Sequence, residues 1–214
     1  MDMKYKLTDE TRVVENITLH RIECVTAFSD VECGEKGGWI ESEKNLSQSG
    51  DAWVYDNAMV FDNARVDDNA TVYGHATVYE NATVGGDTIV GENATVGEYA
   101  TVDGHAEVGG NAKVYGHATI GGNATVRGDA TVSGDARVYE NADFIVFKNW
   151  WSSGRYFTWT RSNDMWRVGC FFGTGEELVA KAYEDSEESG REYERVVKYV
   201  ESILKEKKKI TNSH

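Results

Sequence analysis

The chain has 214 residues, a net charge of −14, no proline and three cysteines. That length gives one domain with a small appendage. No apolar run approaches the span of a bilayer and no secretory leader opens the chain, which predicts a cytoplasmic protein. The three cysteines, Cys24, Cys33 and Cys170, form no CxxC pair and give neither a disulfide framework nor a zinc site.

The charge is unevenly placed, with a net −4 in residues 1–45 and +1 in 146–214, against fifteen acidic and four basic side chains in 46–145. A surface of that sign repels phosphate backbones, so direct nucleic-acid binding by the middle segment is not expected. A solvated face is the plain reading, and mimicry of nucleic acid the sharper one.

Residues 1–39 alternate apolar and polar positions from Lys4 to Asp9 and from Thr18 to Val25, which predicts one or two strands capping whatever follows. Gly34, Gly37 and Gly38 mark a turn. Ile40 and Leu46 then fall on the six-residue register of Ala52, so residues 40–145 read as one domain.

In that domain a small residue recurs every six positions, Ala at 52, 58, 64 and onward to 142 with Thr88 as the exception, and an aliphatic residue follows two later. Sixteen such hexads run without insertion, ending at Ala142 and Phe144. Each reads as small in, polar out, aliphatic in, variable out, then two turn residues, as in Asn81-Ala82-Thr83-Val84-Gly85-Gly86. Period two predicts a short strand of about four residues, and three such strands close a triangular coil that stacks on the next at about 4.8 Å.

Residues eighteen apart then share a face. The early coils point Trp53, Tyr55, Met59, Phe61, Tyr73 and Tyr79 outward, an apolar patch that the N-terminal segment, the tail or another subunit must cover. These are the candidate interface residues. Asp62, Glu80 and Glu98 form one acidic column, which either binds a cation or basic partner or splays into water. Thr77, Thr95 and Thr131 share a column, but Lys113 interrupts it, which argues against an ice-binding threonine array.

Residues 146–214 leave the pattern. Phe144–Phe147, Arg155–Thr160 and Met165–Phe172 read as three antiparallel strands around Trp150 and Trp151. Thr174 with Glu177 is a capping box, Ser189 with Glu192 repeats it, and Lys205–Lys209 suits the end of the second helix. Gly173-Thr174-Gly175 lacks the GK[ST] of a phosphate loop. Arg155, Arg161 and Arg167 near Trp159 and Trp166 form the basic and aromatic cluster of the chain, a candidate ligand or partner site whose alternative role is sheet packing.

The hexad motif resembles the left-handed parallel β-helix of the hexapeptide-repeat proteins. Gly37-Gly38-Trp39-Ile40-Glu41-Ser42-Glu43-Lys44-Asn45-Leu46-Ser47, running into Gly50-Asp51-Ala52-Trp53-Val54, is similar to the YdcK-type members, labelled acetyltransferases and frequent in prophage and gut-bacterial genomes. The resemblance implies a homotrimer in a bacterial host and, for an enzyme, an acyl-CoA substrate with a histidine as general base. His75, His105 and His117 are the candidates; each occupies a turn position otherwise filled by Asn or Asp, none lies eighteen residues from another, and no metal set arises from them. Such acyltransferases carry loops that interrupt the repeat to wall an acceptor pocket, and this repeat has none. The expectation is therefore a non-catalytic binding or scaffold protein without a cofactor, a phage or prophage accessory countering host defence by binding a host protein or sequestering a small, nucleotide-like ligand. The alternative is acyl transfer from acetyl-CoA.

Overall fold

A two-residue strand can donate and accept only a few backbone hydrogen bonds, so it persists only where a neighbour repeats it in register. In the computed structural model, which describes residues 3–211 with side chains through 206, fifteen such strands, β4 to β18, recur every six residues from Trp53–Val54 to Arg137–Val138. They are preceded by β1 (Tyr5–Val14), β2 (Ile17–Cys24) and β3 (Lys36–Ile40). Every third rung stacks in parallel, giving three sheets ordered β3-β5-β8-β11-β14-β17, β4-β7-β10-β13-β16 and β6-β9-β12-β15-β18, or about six coils of a parallel β-helix. Pairs such as Thr77↔Thr95 and Val78↔Val96 fix the eighteen-residue period.

The coil-to-coil ladder runs through bonds such as Thr77 N–H to Ala94 O at 2.9 Å and Gly97 N–H to Val114 O at 3.0 Å. Inside, the Ala and Val positions from Ala52 to Val138 are buried, and Thr88 joins them by donating its hydroxyl to Gly85 O at 2.8 Å. The sixteenth hexad departs from expectation. Asn141–Asp143 is a short 3-10 turn, Ala142 is exposed, and Phe144 opens the next sheet. The hexads also form strands of two residues rather than four, because the corners take the rest.

Both ends of the helix leave backbone groups without a next coil, and side chains take them. At the start, Lys4 Nζ donates to Ala52 O at 2.8 Å and Gly50 O at 3.2 Å, Tyr5 OH donates to Leu46 O at 2.6 Å, and Asn45 Nδ2 donates to Asp62 O and Ala64 O. At the finish, Asn141 Oδ1 accepts from Thr125 N, Ser162 Oγ from Arg137 N, and Asp143 Oδ2 from Tyr139 N and Glu140 N. The hairpin β1–β2 extends the first sheet antiparallel through β3. Gly34 does turn, at φ +86°, but Gly37 and Gly38 lie inside β3, where a Cβ would stand 2.6 Å from Val54 O and from Val54 Cγ1 respectively.

Outside, large rings lie flat on glycines one coil away. A Cβ on Gly91 would be 1.9 Å from Tyr73, one on Gly97 2.5 Å from Tyr79, and one on Gly121 3.0 Å from Tyr139.

The chain divides into two compact units, 1–145 with 160–163, and 146–159 with 164–214. The second is built on a four-stranded sheet of β19 (Phe144–Lys148), β20 (Tyr156–Thr160), β21 (Met165–Val168) and β22 (Phe171–Gly173), followed by α1 (Gly175–Asp185) and α2 (Glu187–Thr211). The stretch read as one strand from Met165 to Phe172 is two, because Gly169 at φ +55° starts a two-residue hairpin loop. The capping box forms as read, with Thr174 Oγ1 accepting from Glu177 N and Glu177 Oε2 from Thr174 N. The second helix starts earlier than read: Ser186 Oγ accepts from Ser189 N at 3.1 Å, and Ser189 sits inside the helix. Tyr193, Val197 and Val200 form its buried stripe; of the expected Lys205–Lys209 terminus, Lys205 pairs with Glu201 at 3.7 Å, the side chains after residue 206 lie outside the described ones, and the helix runs on to Thr211.

Gly97→Ala forces Tyr79 off its seat and should cost about 1–3 kcal/mol, read as a lower denaturation midpoint in guanidinium. Burial lowers the Lys4 ammonium from 10.5 to about 8, with Asp51 opposing. Between those values the unfolded chain holds a proton that the folded one has released, so Lys4 makes stability rise with pH across that window. The melting temperature of the wild type minus that of Lys4→Met should therefore increase from pH 8 to 10.5; a flat difference would remove the assignment.

Candidate functional site

At one corner of every hexad the backbone turns through positive φ, at Asp56, Asp62, Asp68, Gly74, Glu80, Gly86, Glu92, Glu98 and then six glycines from Gly104 to Gly134. A non-glycine residue there costs of order 1 kcal/mol. Five of the six acidic corners recover this locally, the carboxylate accepting the N–H of the corner residue one coil on, whereas Glu92 Oε1 accepts from Arg127. Asp62 Oδ2 accepts from Glu80 N at 3.1 Å, Glu80 Oε2 from Glu98 N at 2.6 Å and Glu98 Oε2 from Gly116 N at 2.8 Å, with Glu41 serving Asp62 N at 2.7 Å. The column of Asp62, Glu80 and Glu98 is thus a chain of charge-assisted caps. Among the described residues no three His, Cys, Asp or Glu side chains gather as a metal set.

The adjoining corner position carries amide ladders, such as Asn93 Nδ2 to Asn111 Oδ1 at 3.3 Å and Asn111 Nδ2 to Asp129 Oδ1 at 3.1 Å. The three histidines belong to these ladders. His75 stands in the column of Asn93, His105 pairs with Asp87 at 3.3 Å, and His117 stacks on Tyr99 at 5.0 Å. All three are exposed, and the eighteen-residue register puts each at a different corner, so the fold does not bring them together within the chain.

The six outward apolar residues are not a free patch. Trp53 is enclosed by Tyr5 and Phe28, at 6.1 and 5.5 Å between ring centres, and Tyr55 OH donates to Asp30 Oδ1 at 3.0 Å. Met59, Phe61 and Tyr79 pack with Leu19, Trp39, Val14 and Ile17. Tyr73 covers Gly91. The N-terminal segment therefore takes most of the area assigned to an interface. Burial pushes the Tyr79 phenol up to about 12, with Tyr115 and neighbouring carboxylates adding to it.

In the C-terminal unit Trp159 and Trp166 are core residues. Trp159 Nε1 donates to Asp164 Oδ1 at 2.7 Å, and Trp166 packs 6.0 Å from both Phe147 and Phe157. Both rings are buried and stand in the wall of a concavity of about 220 Å³ with Asp164, Thr174 and Val200. Arg161 pairs with Asp143 at 3.4 Å, in the first unit, and the half-buried Arg167 has its Nε enclosed. Arg155 lines a second, larger concavity. This cavity, of about 350 Å³, is walled by the Asn149–Ser153 turn, by Val168, Cys170 and Phe171, and by Leu178, Lys181, Asp185, Ser189 and Tyr193 of the helices. Asn149 Nδ2 donates to Tyr193 OH at 3.1 Å. Burial raises the Tyr193 phenol, and that bond and the Arg155 charge hold it back. The sequence reading missed this cavity; its signal was the Ser152-Ser153-Gly154 turn beside Arg155, which has no meaning until the helices are placed.

The repeat and its coils define a hexapeptide β-helix protein. More narrowly its repeats are YdcK-like: the YdcK β-solenoid repeat model matches residues 70–86. The uncharacterized acetyltransferase YdcK of Escherichia coli K12 is 38% identical over 61 residues, 25% of this chain and 19% of that protein, so the match spans less than a fifth of that relative's length. No described helix is long and apolar enough to cross a membrane.

Glu80→Ala strips the cap from Glu98 N–H and should lower the melting temperature by about 2–4 °C, with millimolar Ca²⁺ or Mg²⁺ leaving the wild type unmoved. A metal-dependent rise that Glu80→Ala abolishes would instead make the column a cation site.

Proposed function

We propose that this protein is a non-catalytic binding or scaffold protein, an acidic β-helix that assembles as a homotrimer and presents its surface to a partner. In the phage or prophage setting of similar sequences it counters host defence, by holding a host protein or sequestering a small ligand. The observation that carries the reading is the dispersal of His75, His105 and His117 over three corners, each used as a turn or ladder residue. A general base has to sit within hydrogen-bond reach of the group it deprotonates, inside a walled pocket. The coils from Trp53 to Val138 follow one another without an inserted loop that could supply such a wall.

The acetyltransferase label of the E. coli relative, 38% identical over its matched stretch, keeps acyl transfer as the second reading. It would draw on acetyl-CoA and on one of the three histidines.

Native mass spectrometry of the purified protein with and without acetyl-CoA separates the two. The expected spectrum is a trimer whose mass acetyl-CoA does not change. A trimer that gains acetyl-CoA masses, and loses them in a His75, His105 or His117→Ala variant, would replace the scaffold with an enzyme.

A further inference from the structure

We propose that the cavity of the C-terminal unit binds a small organic oxyanion, a carboxylate or phosphate monoester carried on an apolar body. The site goes beyond the scaffold reading and holds whether or not the β-helix has a partner.

The first ground is charge. In a chain of net charge −14 several arginines find an acid: Arg65 meets Asp67, Arg127 meets Glu92 and Glu107, Arg161 meets Asp143 and Arg195 meets Glu192. Arg155 is among the arginines that do not, and it stands at a concavity. Among the described residues no carboxylate pairs with its guanidinium, although acidic side chains are in excess, and it lines the cavity beside Lys181, whose ammonium pairs with Glu184 at 2.8 Å. A guanidinium kept free of protein carboxylates at the edge of a concave site is a ready bidentate partner for an oxyanion.

The second ground is the arrangement of donors. Ser153 and Ser189 bring hydroxyls to the same walls, while the Ser152 hydroxyl donates to Asn149 Oδ1 at 3.3 Å. Tyr193 OH already accepts from Asn149, which leaves its own proton for another acceptor. Asp185 is the one carboxylate of the lining, so Arg155 and the neutral donors outnumber it.

The third ground is the opposite wall. Val168, Phe171, Leu178 and Ala182 are apolar; Leu178 and Ala182 are buried within the unit, and the half-buried Val168 and Phe171 offer an apolar surface to a ligand. A volume of about 350 Å³ lies near the lower end for small-molecule sites and suits one ring bearing one acidic group. All of the lining belongs to the second compact unit, so the site needs nothing from the β-helix.

Cys170, exposed and in the lining, is a reporter already in place, and the exposed Cys33 of the other unit is its reference. Each thiolate displaces iodide from iodoacetate, which is anionic, or from iodoacetamide, which is neutral. The full-length protein is treated with each reagent and the rates at both cysteines are read by peptide mass spectrometry. The expected iodoacetate-to-iodoacetamide ratio is higher at Cys170 than at Cys33, by about threefold or more in low salt, and Arg155→Gln removes the excess. Arg155 is exposed, so this substitution leaves the fold intact. Phenyl phosphate or benzoate at millimolar concentration should slow labelling of Cys170 in the wild type and not in Arg155→Gln. Protection by the first alone makes the ligand a phosphate monoester, and by the second alone a carboxylate. Equal ratios at the two cysteines, no protection by either compound, or equal protection by phenol would overturn the proposal.

Discussion

Every backbone amide of a two-residue strand has to find its partner in a coil eighteen residues away, and the remaining features follow from that requirement. It fixes the hexad, since three equal sides must close before the chain can pair with itself. It excludes proline from the coils, where a missing donor would break a rung. It also makes the two ends of the helix the places where the sequence becomes irregular. Lys4, Tyr5 and Asn45 at one end, and Asn141, Asp143 and Ser162 at the other, do for the terminal coils what a neighbouring coil does for the rest.

The same requirement accounts for part of the negative charge. A corner held at positive φ favours glycine, and six of the fourteen corners from Asp56 to Gly134 are instead Asp or Glu. Where such a carboxylate reaches a backbone N–H one coil on, the acid is a structural device and its charge a by-product. Much of the acidity of the early coils is accordingly committed before any partner approaches. The guanidinium of Arg155, at its cavity, is by contrast a charge with no such commitment.

The periodic part of the molecule was legible because period two and period six are read directly from side-chain size, as with Ala76 and Val78 or Ala94 and Val96. Even Thr88 fits, once its hydroxyl is seen to bond within its own turn. What the sequence did not reveal depends on contacts between residues with no fixed spacing. Trp53 and Phe61 read as outward residues, which their register requires, yet Phe28 and Leu19 arrive from loops and hairpins to bury them. Trp159 and Trp166 looked like partners of Arg155 by proximity in the chain. In a strand, alternate residues face opposite ways, and the helices that choose which face becomes core lie downstream. The cavity was invisible for the same reason, being enclosed by a turn, a hairpin and two helices.

The rings seated on glycines bear on how such a chain can change length. Duplicating or losing one eighteen-residue segment leaves the interior undisturbed, because each coil offers the same Ala and Val to the next. The exterior is less forgiving. Loss of the segment from Glu80 to Gly97 would bring Tyr79 against Tyr115, and loss of the segment from Gly104 to Gly121 would set Tyr139 against Asp103. Inside, the coils are interchangeable parts; outside, they carry a serial order, and recombination between repeats in the gene is constrained by the outer surface more than by the core.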